Sequence, residues 1–197
     1  MTVLHGEGVS RGVASGKLRF LKHDTQAQPR REITDPEAEV ARFDKARGAA
    51  IAQLIQLYTE SRAKLGEEQS LLFRIHQMML EDLDYRESIT GMIRGEMVNA
   101  EYAVDQTAAQ FSEMFTQMDD SYMRARAADV LDISRRVCRL LTGNEDQALA
   151  EDEPVIIAAD DLVPSETARL DRDKVLAFIT ARGSASSHSA IFARTMG

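Results

Sequence analysis

Between residues 35 and 142 the apolar positions recur at three- and four-residue steps, the spacing that lines one face of an α-helix. Val40, Phe43, Ile51, Leu54, Ile55 and Tyr58 follow Asp35-Pro36, an N-cap with a first-turn proline, and predict an amphipathic helix of roughly 25 to 30 residues. Gly66 breaks it. Leu71, Leu72, Ile75, Met78 and Met79 then repeat on one side of a second helix, so an antiparallel pair is implied. Tyr85, Ile89, Met92 and Ile93 mark a third helix. Tyr102, Phe111, Met114 and Phe115 after an Asn99 cap mark a fourth, and Val130, Ile133, Val137 and Leu141 before Gly143 a fifth. Residues 35–142 are predicted to form an all-α helical bundle.

The pattern changes on both sides of the bundle. The first twenty residues alternate β-prone pieces with Gly6, Gly8, Gly12 and Gly16, predicting two short strands joined by tight turns at a sheet edge. After Gly143 an acidic stretch with Glu145, Asp146, Glu151, Asp152 and Glu153 reads as a linker. Residues 155–159 then form a buried-strand pattern, 164–170 a short helix and 175–180 a second strand. A small polar turn after Gly183 leads into a helix from about Ser187 to Met196. Only two interior strands follow the bundle, so the β-prone pieces before residue 22 are expected to join them. The expected architecture is a discontinuous α/β domain, residues 1–22 with 144–197, C-terminally incomplete and interrupted by the bundle.

Charge narrows the partners. The formal charge of −8 argues against sequence-independent nucleic-acid binding, which needs a surplus of Lys and Arg, and suits a basic protein partner. Cys138 is the single cysteine, so no intramolecular disulfide can form, as fits a reducing compartment. The start lacks the basic and apolar regions of a signal peptide, and no apolar run approaches the ~18 residues of a membrane span. A cytoplasmic location without membrane insertion is expected.

One segment carries candidate chemistry. Residues 182–191 place His188 behind Gly183, Ser184, Ala185, Ser186 and Ser187, where a strand turns into a helix. Small residues leave the imidazole open. A helix N-terminus offers free N–H groups and partial positive charge, which favour a bound phosphoryl group and disfavour a protonated imidazole nearby. A neutral imidazole nitrogen is nucleophilic, and once phosphorylated its oxygens can be held by amides and the hydroxyls of Ser186, Ser187 and Ser189. In the blander reading Ser186 is an N-cap and His188 an early helical residue. His5, His23 and His76 have no second ligand at zinc-like spacing, so no metal site is expected.

The stretch from Gly183 to Met196, with Ser-His-Ser-Ala-Ile-Phe-Ala-Arg-Thr-Met at its heart, resembles the phosphohistidine motif of enzyme I of the phosphoenolpyruvate:sugar phosphotransferase system. Three more segments are similar to that family in order: residues 6–17 to its opening strands, Met79-Leu-Glu-Asp82 to its helical domain, and residues 163–168 to the segment before its active loop. The family's common Gly-Gly-Arg-Thr-Ser-His loop has Ser184 for its second glycine, Ala185 for the arginine and Ser186 for the threonine, while Arg194 matches a family arginine further on.

The resemblance implies a swivelling α/β phosphohistidine domain with an inserted helical domain. His188 would take the phosphoryl group of phosphoenolpyruvate, bound with magnesium on a separate C-terminal domain, and pass it to a histidine of the small carrier HPr. No cofactor is implied for this chain itself. Thr167 would orient His188, with Ser186, Ser187, Ser189 and Arg194 supporting the phosphate. Glu67, Glu68, Leu71, Met78, Met79, Asp82 and Arg126 match family positions that contact HPr, and a homodimer is implied for the full-length parent. By pattern alone Leu71 and Met78 read as core and Glu67 and Glu68 as helix-start acids, a reading that family position reverses for Glu67, Leu71 and Met78, while Arg126 reads equally as a solvated charge. The alternatives are the swivelling domain of a dikinase or phosphoenolpyruvate synthase, and a non-catalytic paralogue that binds HPr.

Overall fold

The computed structural model describes residues 3, 5–21, 27–143, 153–162, 167, 173–182, 190 and 194. In chain order the elements are β1 Lys17–Leu21, α1 Pro36–Leu65, α2 Glu67–Glu81, α3 Leu83–Glu96, α4 Ala100–Thr116, α5 Ser121–Thr142, β2 Val155–Ala159 and β3 Val175–Thr180. The chain divides into a discontinuous unit, Met1–Asp24 with Gln147–Gly197, and an inserted unit, Thr25–Asp146. The fold is an all-α bundle interrupting a small α/β unit.

Local chemistry sets the helix ends. The Asp35 carboxylate accepts the Ala38 N–H at 3.0 Å ahead of Pro36, and Glu37 and Glu39 complement the first turn of α1. Gly66, at φ 91°, ends α1 and opens α2 in a conformation that side chains avoid. Asp82 caps α3 through the Tyr85 N–H at 3.0 Å, and Asp120 caps α5 through Tyr122 and Met123. Asn99 stands at the head of α4 but makes no side-chain cap. Its Oδ1 instead accepts the Arg31 N–H at 2.8 Å, tying the polar segment before α1 to the bundle, where Ile33 N–H also bonds Met97 O at 2.9 Å.

The bundle core holds Phe43, Leu54, Leu80, Tyr85, Ile89, Ile93, Val104 and Ile133, all shut off from solvent. The Tyr85 ring meets Phe111 edge-on at 6.0 Å and its hydroxyl pairs with Ser134 Oγ at 2.8 Å, while burial pushes the phenol up. At one corner Arg42 bonds both carboxylate oxygens of Glu101 (2.8 and 2.7 Å), Glu39 (2.6 Å) and the Leu141 carbonyl (3.2 Å). Burial would raise the Glu101 carboxyl, but hydrogen bonds from Arg42 and Asn99 outweigh it and hold it at about 2.

Three expected stripes shift. On α2 the buried positions are Ser70, Leu72, Phe73, His76, Gln77 and Leu80, so Leu71 and Met78 point outward and Ile75 and Met79 are half-buried. On α4 the buried face is built from Ala100, Ala103, Val104, Thr107 and Ala108, small residues that let α5 approach, while Met114 is exposed and Tyr102, Phe111 and Phe115 are half-buried. On α1 Ile55 is exposed.

In the α/β unit β1, β2 and β3 form a parallel sheet in that order, with Lys17 opposite Val155 and Val155 opposite Val175. Among the described residues the N-terminal stretch supplies one strand, not two. The described residues before Lys17 form neither strand nor helix. Val155, Ile157 and Leu162 are the centre of a small core packed by Leu21, Ala159, Val175 and Phe178. An irregularity between Val155 and Ile156 leaves Leu176 beside Gly16, where an added Cβ would lie 2.7 Å from Leu176 Cδ1 and would push that exposed side chain aside.

Candidate functional site

His188, Ser186, Ser187 and Ser189 lie outside the described residues. Thr167 is helical and almost completely buried, which places its hydroxyl in an enclosed setting. Ala190 and Arg194 are helical, the first buried and the second exposed.

The remaining candidates gather on α2 and its neighbours. Leu71 is 44% exposed and Met78 60% exposed, seven residues apart and therefore two turns along one side of the helix. The inward side of the same helix carries Leu72, Phe73, His76 and Leu80, so the core is already filled without them. Carboxylates edge the outward side. Glu67 and Glu68 stand exposed in the first turn, Glu81 and Asp82 at the other end. Such a face presents apolar area at its centre and negative charge at its rim.

Two of these carboxylates also serve the fold. Glu67 accepts the Tyr58 hydroxyl at 2.7 Å and is ion-paired with Arg62, which ties α2 back to α1. Asp82 is the α3 cap. A side-chain ladder runs along the helix flank, with Arg74 Nη1 donating to Gln77 Oε1 and Gln77 Nε2 to Glu81 Oε1, each at 2.8 Å.

Arg126 on α5 is no solvated charge. Its side chain is 15% exposed, Nη1 donates to Asp129 Oδ2 at 2.5 Å, and the guanidinium stacks 4.5 Å above the Tyr122 ring. Sequence reasoning missed three residues here. His76 is 1% exposed on the inward side of α2, with Nε2 3.3 Å from Asp129 Oδ1 and Nδ1 3.8 Å from Asp132 Oδ2. Leu83 is exposed at the head of α3, and Tyr122 is 58% exposed at the head of α5. A histidine inside an apolar stripe, and Tyr122-x-x-x-Arg126-x-x-Asp129 at helical spacing, were the available signals.

Among the described residues no group of three or more His, Cys, Asp or Glu side chains is placed to hold a metal ion. Likewise no described helix is long and apolar enough to cross a membrane.

Comparison with known proteins bears on both units. Residues 5–126 match the family described as PEP-utilising enzyme, N-terminal, and residues 151–197 that described as PEP-utilising enzyme, mobile domain. A phosphoenolpyruvate-protein phosphotransferase of Bacillus sp. (strain S) is 41% identical over 195 residues, 98% of this chain and 34% of the relative. That of Bacillus subtilis (strain 168) is 37% identical over 198 residues, 100% of this chain and 35% of the relative. The chain thus spans about a third of the length of these curated relatives. A solution structure of an Enzyme I protein superposes with a TM-score of 0.78 at 30% identity, covering 95% of this chain and 77% of that one. The N-terminal domain of a nitrogen Enzyme 1 superposes at 0.72 and 24% identity, covering 96% and 78%, a likeness of fold.

Proposed function

The chain belongs to the phosphoenolpyruvate-utilising enzyme family, and on that premise we propose that it is the phosphoryl-carrying part of an enzyme I-type phosphotransferase. His188 receives the phosphoryl group of phosphoenolpyruvate, bound with magnesium by the portion of the relatives that this chain does not span. A neutral ring nitrogen attacks phosphorus, the N–P bond forms as the enol oxygen–phosphorus bond breaks, and the enol leaves to become pyruvate by taking up a proton. A histidine of the carrier HPr then displaces His188 in the same way. Such a transfer asks little of the protein beyond positioning and charge compensation.

Thr167 acts as the orienting hydroxyl. By bonding one ring nitrogen of His188 it leaves the other free to attack, and its burial suits a group that must hold one geometry. Arg194 and the Ser186, Ser187 and Ser189 hydroxyls compensate the phosphoryl charge.

HPr docks on the outward side of α2. The observation that carries this reading is the exposure of Leu71 and Met78 between acidic ends, on a helix whose core positions are filled by other residues. A carrier with an apolar patch flanked by basic residues fits that surface, and the charges speed encounter.

The decisive experiment mixes the purified chain with phosphorylated HPr and follows acid-labile phosphate. Wild-type protein is expected to take up about one phosphoryl group per chain and His188→Ala none, with the variant's melt unchanged. Equal labelling of the variant would overturn the assignment.

A further inference from the structure

Buried His76 and half-buried Asp129 lie side by side where α2 meets α5. We infer that Asp129, backed by His76, is a positioning residue that holds Arg126 and the Tyr122 ring as one preformed edge of the carrier-docking surface; this rests on the docking reading above. The Asp129 carboxylate is divided between two helices. One oxygen takes Arg126 Nη1 on its own helix at 2.5 Å, and the other faces His76 Nε2 on α2 at 3.3 Å. His76 is buried in the core and its Nε2 lies beside the carboxylate without a hydrogen bond, so it backs Asp129 by packing.

The grip on the guanidinium is narrow. Its Nε is enclosed without a hydrogen-bond partner, which leaves the Asp129 contact and the Tyr122 ring to define where the group sits. Tyr122 in turn is more than half exposed, although the cation covers one of its ring faces. An arginine and a tyrosine locked together at an open surface lose little side-chain freedom when a partner arrives, and both residue types concentrate binding energy at interfaces. Arg126 adds to this surface a cation held by a carboxylate and an aromatic ring, suited to a carbonyl or carboxylate of the carrier. The 3.3 Å approach of His76 Nε2 to Asp129 puts this edge beside the helix that carries Leu71 and Met78.

A double-mutant cycle on the whole chain tests this, with calorimetric titration of HPr and a thermal melt for each variant. Arg126→Ala should weaken HPr binding roughly fivefold or more, and Asp129→Asn should weaken it by a smaller factor. The double variant should bind no worse than Arg126→Ala alone, because Asp129 acts through Arg126. A purely structural Asp129 would instead give losses that add. Tyr122→Leu, an exposed change that spares the core, should likewise weaken binding in the wild-type background and not in Arg126→Ala. Additive losses in either cycle, or normal binding by Asp129→Asn beside weak binding by Arg126→Ala, overturn the positioning role and leave the docking surface standing. Normal binding by Arg126→Ala removes Arg126 and the positioning role together. Normal binding by Met78→Ala as well would sink the docking reading itself.

Discussion

The Arg42 corner of the bundle and the outward side of α2 use similar residues to opposite ends. At the corner, Arg42 bonds Glu39 on its own helix and Glu101 on α4, while Asn99 donates to Glu101 and Glu39 accepts the Ala100 N–H, so each carboxylate is taken up within the bundle. On α2 the carboxylates stand at the rim of exposed apolar side chains, and their bonds run to neighbouring turns or to the adjoining helix. Charge whose hydrogen bonds are all taken within the bundle is costly to strip of its partner, whereas charge left at the edge of an apolar island is available to a second molecule. The same helix, α2, contains both regimes on its two sides.

The sharpest break between the two sides should come from truncating matched leucines. Leu80→Ala removes a fully buried side chain and should cost roughly 2 to 5 kcal/mol of stability in urea unfolding, while Leu71→Ala should cost less than about 0.5 kcal/mol. Similar losses would erase the distinction between an inward and an outward side.

Acid should act on the corner next. Glu101 sits at about 2 in the folded chain against an ordinary value of 4.5, so its stabilisation is complete above the unfolded value and is lost as pH falls through that interval. The contribution is roughly 2 kcal/mol near neutral pH. Melting temperature measured from pH 5 to pH 2 should therefore fall less steeply in Glu101→Gln than in wild type, the variant having already lost the ion pair. Parallel curves would remove Glu101 from the account.

The smallest effect belongs to the α2 surface. Met78→Ala should weaken HPr by ~1 to 2 kcal/mol in titration calorimetry while its melt stays near wild type. Unchanged affinity with a large drop in melting temperature would make Met78 a core residue.

These contrasts were only partly legible in the sequence. Asp35-Pro36, Gly66 and Gly143 announced helix ends because each has a local physical job that no tertiary contact overrides. The phase of α2 was harder. Ser70, His76 and Gln77 are polar yet buried, so a count of apolar residues drew the stripe through Leu71 and Met78 instead. The α4 face was hidden because its buried residues are alanines, too small to dominate a pattern that Tyr102, Phe111 and Phe115 seemed to set. Arg126 could not be told from a solvated charge until Asp129 and Tyr122 were seen on either side of it. Resemblance to a family supplied His188 and Thr167 with roles that periodicity alone does not carry.

The strand order carries a consequence for biosynthesis. β1 pairs in register with β2, Lys17 opposite Val155, although the whole helical unit is translated between them. Among the described strands an emerging β1 therefore meets its partner only after the ribosome has added the bundle, and its edge waits for β2. The helical unit shortens that wait in space if not in time. Arg42, near the start of α1, reaches the Leu141 carbonyl at the end of α5, so a folded insert brings its own two ends together and removes most of the loop entropy that separates the strands. Ribosome-stalled chains ending just beyond α5 should thus already resist protease across the bundle while residues 17–21 are still cleavable.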